Sequence, residues 1–249
     1  MKRAAVLLLA VILLLPISIG EAKDDEENYA NFPKNGLPVL MYHSISTKYD
    51  RSICVSAECF EKQIKWLHDN GYHAINSDQL YDAFENGVAL PDKAVMITFD
   101  DGFGDNYEVA WPILRKYDFV GTFFIVTDFV KSYSIDWEQL KDLIACGNSI
   151  GSHTVHHYNM ASLNSYQQER ELRDSKKALE EGLGINIKAF CYPYGGYNKA
   201  TIKLLSSTGY SLGFTTTEGR VHYDSDVYQL KRVHICGGLC LNDFIKKVS

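Results

Sequence analysis

Short apolar runs alternate with amphipathic stretches along most of this chain, and the alternation defines the expected elements. Residues 37–43 read as a strand. Phe60, Ile64 and Leu67 then recur at helical spacing until Gly71 closes the run. A strand over 72–75 precedes a helix starting from Ser77, whose hydroxyl suits an N-cap. Residues 94–99 predict a strand, and 106–117 a helix with Pro112 as a kink or late start. The β-branched and aromatic stretch 120–126 is another strand. Helices are expected over 137–146, 165–183 and 199–206, with a last one starting near Asn242. Further strands fit 149–152, 187–192, 211–215 and 230–235.

Strict strand–helix alternation predicts parallel strands joined by crossover helices. The folded stretch is short for a full (β/α)₈ barrel of roughly 250 residues, so the expected fold is a compressed or incomplete (β/α) barrel, TIM-like with about seven strands, in a single catalytic domain. No glycine-rich phosphate loop follows the first strand, which counts against nucleotide binding.

The first residues follow a different pattern. Lys2 and Arg3 precede an apolar run over 4–19, interrupted only by Pro16 and Ser18, and Gly20-Glu21-Ala22 forms a small-x-small site. Residues 1–22 therefore predict a signal peptide, with an uncleaved N-terminal anchor as the alternative. Either delivers the rest of the chain to the cell surface or the medium. The acidic stretch 23–36, with Asp24, Asp25, Glu26 and Glu27 in a row, reads as a solvated linker. The catalytic domain is expected over 37–249.

At 249 residues, 46% hydrophobic and 22% charged, the chain can bury one substantial core. A formal charge of −6 without a basic run excludes nucleic acid as a partner. Membrane contact is expected only through the N-terminal anchor, and the protein is expected to be a monomer. The first of six cysteines is Cys54, too far from the apolar run for a lipid anchor. Cys54 with Cys59, and Cys236 with Cys240, are close enough for local disulfides, while Cys146 and Cys191 are isolated. Free buried thiols fit the same spacing equally well.

Polar clusters stand at the strand ends. The strand over 37–43 closes on Tyr42-His43, that over 94–99 on Asp100-Asp101-Gly102, that over 149–152 on His153-Thr154-Val155-His156-His157, and that over 187–192 on Tyr192-Pro193-Tyr194-Gly195. In a parallel barrel all these ends open on one rim, where active sites are built. Two adjacent carboxylates alone are ordinary turn residues. His153 and His157, four apart, would face the same way on one helical turn and share a cation. With an aspartate from the neighbouring strand end they form an Asp–His–His set that leaves positions open for water and substrate. His156, three residues from His153, is the second choice as a ligand.

Thr98 to Gly102, His153 to His157 and Tyr192 to Gly195 resemble, in order and spacing, the motifs of the polysaccharide deacetylase family, the NodB-homology or carbohydrate esterase family 4 group. The resemblance spans nearly all of 37–249. Leu40-Met41-Tyr42-His43 and the stretch 90–102 look most like the branch that deacetylates poly-N-acetylglucosamine exopolysaccharides. The resemblance implies Asp100 as general base, with Asp101, His153 and His157 as ligands of a divalent metal, zinc by expectation. It also implies that Tyr194 offers its backbone N–H to the oxyanion. The branch draws its general acid from an N-terminal Tyr-His, hence His43; many other members take it from near the domain's C-terminus, where Arg232-Val233-His234-Ile235 lies.

Two departures stand out. Many members carry an arginine at the position of Cys191, where it orients the catalytic aspartate. No match to the family's Asp/Trp motif is present, and Trp66, Trp111 and Trp137 read as helix-face core residues. The implied activity is metal-dependent removal of N-acetyl groups from an N-acetylglucosamine polysaccharide, with release of acetate. Alternatives are a peptidoglycan or chitooligosaccharide deacetylase, or a non-catalytic glycan-binding protein on the same fold.

Overall fold

The computed structural model describes residues 32–50, 52–130 and 134–249, so the expected signal peptide and most of the expected acidic linker lie outside the described residues. Packing begins inside the stretch read as linker. Phe32 is buried, with its ring 5.1 Å from Phe84 and 6.0 Å from Tyr223.

The strands are β1 (Val39–Tyr42), β2 (His73–Ile75), β3 (Ala94–Phe99), β4 (Thr122–Ile125), β5 (Ser149–Ser152), β6 (Ala189–Cys191), β7 (Leu212–Glu218) and β8 (Leu230–His234). Every pairing between them is parallel. β1 pairs with both β8 and β3, which closes β1 and β3 to β8 into a seven-stranded barrel. β2 is an eighth strand, added along Ala94–Met96 of β3. The helices are α1 (Ala57–Asp69), α2 (Ser77–Asn86), α3 (Trp111–Lys116), α4 (Trp137–Ala145), α5 (Ser165–Leu183), α6 (Lys199–Ser207) and α7 (Leu241–Val248). The expected (β/α) barrel with about seven strands is the fold found. No helix among the described residues is long and apolar enough to cross a membrane.

The period of two along each strand separates two cores. Val95, Ile97 and Phe99 of β3 face outward and pack with helix residues such as Phe60, Ile64, Leu114 and Leu140. Met96 faces inward with Val39, Phe124, Phe214 and Leu230. Following the inward register of β3 upward leads to Thr98 and then to Asp100, which brings polar groups into the top of the barrel.

Two local expectations differ from the structure. Asn76, not Ser77, caps α2: its Oδ1 accepts from the Gln79 N–H at 2.9 Å, and the Gln79 side chain accepts from the Asn76 N–H at 3.0 Å. This reciprocal pair satisfies two otherwise orphaned donors, which a hydroxyl at the next position could not do. The helix expected over 106–117 is a π-helical turn (Asn106–Ala110) leading into α3, with Pro112 in its first turn. Pro112 has no N–H to give to Glu108, so the turn widens and the Trp111 N–H reaches back to the Asn106 carbonyl.

Candidate active site

β3 is buried along its whole length and delivers two carboxylates in succession. Asp101 has φ 70° and Gly102 φ 69°. These consecutive left-handed residues turn the chain sharply, so the adjacent carboxylates serve different neighbours. Asp100 points into the barrel and Asp101 toward the loop after β5.

That loop is not the helical turn expected from the four-residue spacing. Thr154 (φ 72°) and His157 (φ 62°) are both left-handed, and the Thr154 hydroxyl accepts the His157 N–H at 2.9 Å. The fold-back still brings both imidazoles to one carboxylate oxygen. His153 Nε2 lies 3.3 Å and His157 Nε2 3.0 Å from Asp101 Oδ1. His153 Nδ1 sits 2.7 Å from the Cys191 carbonyl, which can only accept. In the neutral ring Nδ1 therefore carries the proton and Nε2 presents its lone pair to Asp101.

Asp101 Oδ1 is buried and accepts no geometrically sound hydrogen bond. A buried carboxylate oxygen facing imidazole nitrogens is costly unless a cation lies between them. Asp101, His153 and His157 offer three ligand atoms within 4.8 Å of one another, and the set of two nitrogens and one oxygen suits zinc. Burial works to raise the Asp101 carboxyl, but the two imidazoles outweigh it and hold it well below the usual carboxylate range. For His153 the order of influences is similar. Burial lowers it, yet the Cys191 side chain and the Asp101 and Asp100 carboxylates raise it well above the ordinary imidazole value.

His156 goes elsewhere. Its Nδ1 lies 2.5 Å from Glu171 Oε1 and its Nε2 3.4 Å from Asp128 Oδ2. Tyr194, also left-handed at φ 58°, places its hydroxyl 3.2 Å from His157 Nδ1. Among the described residues six non-glycine side chains sit on left-handed backbone, and Asp101, Thr154, His157 and Tyr194 are four of them. Each costs about 1–3 kcal/mol, and such strain concentrates where geometry serves function.

The sequence reading missed Arg232, the largest fully buried side chain among the described residues. It projects from β8 into the barrel, where Nη1 donates to Asp100 Oδ1 at 2.8 Å and Nη2 to Asp100 Oδ2 at 2.7 Å. Its other donors reach the Thr98 hydroxyl (3.1 Å), the Cys191 sulfur (3.0 Å) and, from Nε, the Thr215 carbonyl (2.8 Å). Burial pushes the Asp100 carboxyl up, but the charge and hydrogen bonds of Arg232 prevail and its pKa falls below the ordinary value. Asp100 is therefore a fixed carboxylate. The available signal was the inward register of β8, which runs Leu230, Arg232, His234.

His43 directly follows β1, with Nε2 3.9 Å from Asp100 Oδ2, while its buried Nδ1 has no partner. Burial lowers its pKa, partly offset by Asp100 and Asp101. Asn106, fully buried on the π-helical turn, donates to the His43 carbonyl at 2.7 Å. Asp105 accepts from the Ile45 N–H (2.9 Å) and the Ser44 hydroxyl (2.6 Å), so the β3 loop anchors the strand end carrying His43. His234 is half-buried, with its ring 6.5 Å from that of His43. All six cysteines are free thiols.

The model of the polysaccharide deacetylase family matches residues 87–213, about half of the chain. Bacillus subtilis YxkH, a polysaccharide deacetylase by family, is 36% identical over 225 residues, spanning 90% of this chain and 80% of that protein. The poly-β-1,6-N-acetyl-D-glucosamine N-deacetylase of Staphylococcus aureus is 27% identical over 271 residues, or 94% of this chain and 92% of its own. Among solved structures, Streptococcus pyogenes deacetylase PplD in complex with acetate is similar at TM-score 0.81 and 30% identity, covering 86% of this chain and 98% of that one. With the barrel and the convergent strand ends already in place, these similarities make the chain an enzyme of the polysaccharide deacetylase family.

Proposed function

We propose that the protein is an exported, metal-dependent hydrolase that removes N-acetyl groups from a poly-N-acetylglucosamine polysaccharide and releases acetate. The observation that carries this reading is the juxtaposition of two sets of groups. Asp101, His153 and His157 offer ligand atoms at one point, and the Arg232-held Asp100 and His43 stand beside them. The similarity to the S. aureus enzyme supports the choice of polymer.

Asp101, His153 and His157 would hold the cation, and Tyr194 buttresses His157. When bound, a divalent ion such as zinc supplies Lewis acidity, polarising the acetyl carbonyl and lowering the pKa of water from ~15.7 towards ~7. Asp100 takes the proton of the attacking water as the new C–O bond forms. The backbone N–H of Tyr194 donates to the oxygen that gains charge. His43 then gives a proton to the departing nitrogen as the C–N bond breaks, leaving a free amine on the sugar and acetate. A recess of about 70 Å³ between Asp101 and His157, walled by Phe103 and Phe129, suits the methyl of the acetyl group.

The test is acetate release by the zinc-loaded protein from poly-β-1,6-N-acetylglucosamine, chitin oligomers and peptidoglycan. The first is expected to respond most strongly. No acetate from any polymer at full zinc occupancy would overturn the hydrolytic reading, and release from peptidoglycan alone would overturn the choice of polymer.

A further inference from the structure

A second and larger depression lies beside the loop that carries His157. The loop Val155, His156 and Tyr158 forms one wall, and the first turns of α5 form the other. Its volume is about 700 Å³, within the range of sites that enclose a small molecule or a sugar residue. We infer that this cavity, flanked by Tyr158 and Tyr166, is a subsite for an uncharged N-acetylhexosamine unit of the polymer, neighbouring the unit that reacts. The inference rests on the hydrolytic reading above only for the identity of the polymer.

The aromatic rings are the first observation. Tyr158 is 53% and Tyr166 68% exposed. With Tyr194 at the reaction centre they make up three of the five large hydrophobic side chains exposed to this degree among the described residues. Tyr158 and Tyr166 line the same cavity, and exposed apolar surface gathered at one place marks a binding site more often than scattered residues do. A tyrosine offers a flat apolar face to the C–H face of a pyranose and a hydroxyl to its rim.

Rigidity is the second. Tyr158 stacks on the His156 ring at 5.2 Å and 14°. His156 is in turn fixed by Glu171, whose second oxygen accepts the N–H groups of Val155 (2.9 Å) and His156 (3.0 Å). The platform is thus braced before any ligand arrives, which lowers the entropic cost of binding.

The polar groups decide the charge of the occupant. Both oxygens of Glu171 are already used by the loop, and Asp174 is engaged by Arg170 at 3.4 Å and Arg173 at 3.1 Å. Among the described residues that line the cavity, no spare carboxylate is left to hold an ammonium group. The amide oxygens of Asn164 and Gln167 accept each other's backbone N–H groups at 3.0 and 3.2 Å, which leaves their NH₂ groups as donors. Donors beside an aromatic face match hydroxyl and acetyl oxygens, and disfavour a sugar already converted to a free amine.

The test compares a dimer and a hexamer of β-1,6-linked N-acetylglucosamine, using the zinc-loaded full chain and its Tyr166→Ala, Tyr158→Ala and Tyr166→Phe variants. For Tyr166→Ala, kcat/KM on the hexamer should fall about tenfold. On the dimer it should stay within about twofold, and Tyr166→Phe should retain most of the hexamer rate. Equal losses on both lengths, or no loss on the hexamer, would overturn the subsite. Calorimetric titration of the hexamer into Asp100→Asn, with and without Tyr166→Ala, reads binding without turnover. Hexamer binding that Tyr166→Ala weakens, in a protein that never releases acetate, would sink the hydrolytic reading and leave the subsite standing. Acetate release indifferent to Tyr166→Ala would do the opposite. A fully deacetylated hexamer that binds more tightly than the acetylated one would refute the uncharged occupant.

Discussion

Replacing Arg232 with methionine removes the positive charge beneath Asp100 while keeping an unbranched stem in the barrel. Both Asp100 oxygens would lose their guanidinium donor at 2.7–2.8 Å inside a buried layer. Breaking a buried ion pair from one side typically costs about 3–5 kcal/mol. The sign of its pH dependence follows from the two carboxyl states. In the native protein the Asp100 pKa is depressed, so its contribution is present above the unfolded value of about 3.9 and is lost as pH falls through the folded one. Without Arg232, burial dominates and raises the folded pKa, so a penalty appears above about pH 3.9 and grows until the carboxyl finally ionises. About 3 kcal/mol corresponds to roughly two pKa units.

Urea midpoints of the native protein, Arg232→Met, Asp100→Asn and the double variant between pH 4 and 8 measure this directly. The gap between native and Arg232→Met should widen with pH, and the same comparison in the Asp100→Asn background should be nearly flat. Hydrogen bonds lost at Thr98 and the Thr215 carbonyl contribute equally at every pH. The acid limb of kcat/KM should also move to higher pH in Arg232→Met, because the base stays protonated longer. A gap that is independent of pH and unchanged by Asp100→Asn would refute the role of Arg232 as counter-charge.

Other outcomes follow from the same geometry. His157→Ala should lose bound zinc by metal analysis while His156→Ala keeps it; retention in the first with loss in the second would reverse the ligand assignment. Asp100→Asn should retain zinc and lose acetate release, whereas Asp101→Asn should lose both, and equal loss of metal in the two would mean that their roles cannot be divided. His43→Ala should reduce turnover roughly 10²- to 10⁴-fold with metal retained, as expected for loss of a general acid. His234→Ala should have a mild effect, and the opposite ranking at equal metal content would move the acid to β8.

The parts of this structure readable from the chain are those governed by local periodicity. A near-continuous apolar run marked β3 as a strand buried on both faces, and the abrupt end of that run at Asp100 marked the rim. His43, Asp100, Asp101, His153 and His157 stand at strand ends, so parallel strands alone brought them together. What stayed hidden depends on closure. Arg232 lies 132 residues from Asp100 in sequence and meets it only because β8 pairs with β1, which pairs with β3. The histidine loop shows a different limit. A spacing of four matches a helical turn, but Thr154 and His157 reach the same juxtaposition through left-handed backbone that no periodicity encodes. Asn76 illustrates a third, since Asn and Ser are both good N-caps and only the reciprocal bond with Gln79 separates them.

The cysteine at position 191, read alone, counts against catalysis, because many relatives place there the arginine that orients the base. In the barrel that objection changes meaning. Cys191 Sγ lies 3.0 Å from Arg232 Nη2 and 3.5 Å from Asp100 Oδ2, so the thiol occupies the space between β6 and the ion pair. Burial raises the Cys191 pKa, which keeps the thiol neutral beside the guanidinium and carboxylate. An arginine on β6 would set a second guanidinium against Arg232 with only one carboxylate to share. The small neutral side chain at 191 and the buried arginine at 232 therefore belong together: the counter-charge is present, but it enters from β8 rather than β6. A chain that lacked the counter-charge would leave Asp100 buried and free to take up a proton. This one holds Asp100 ionised with two short charge-assisted bonds, the state a general base requires.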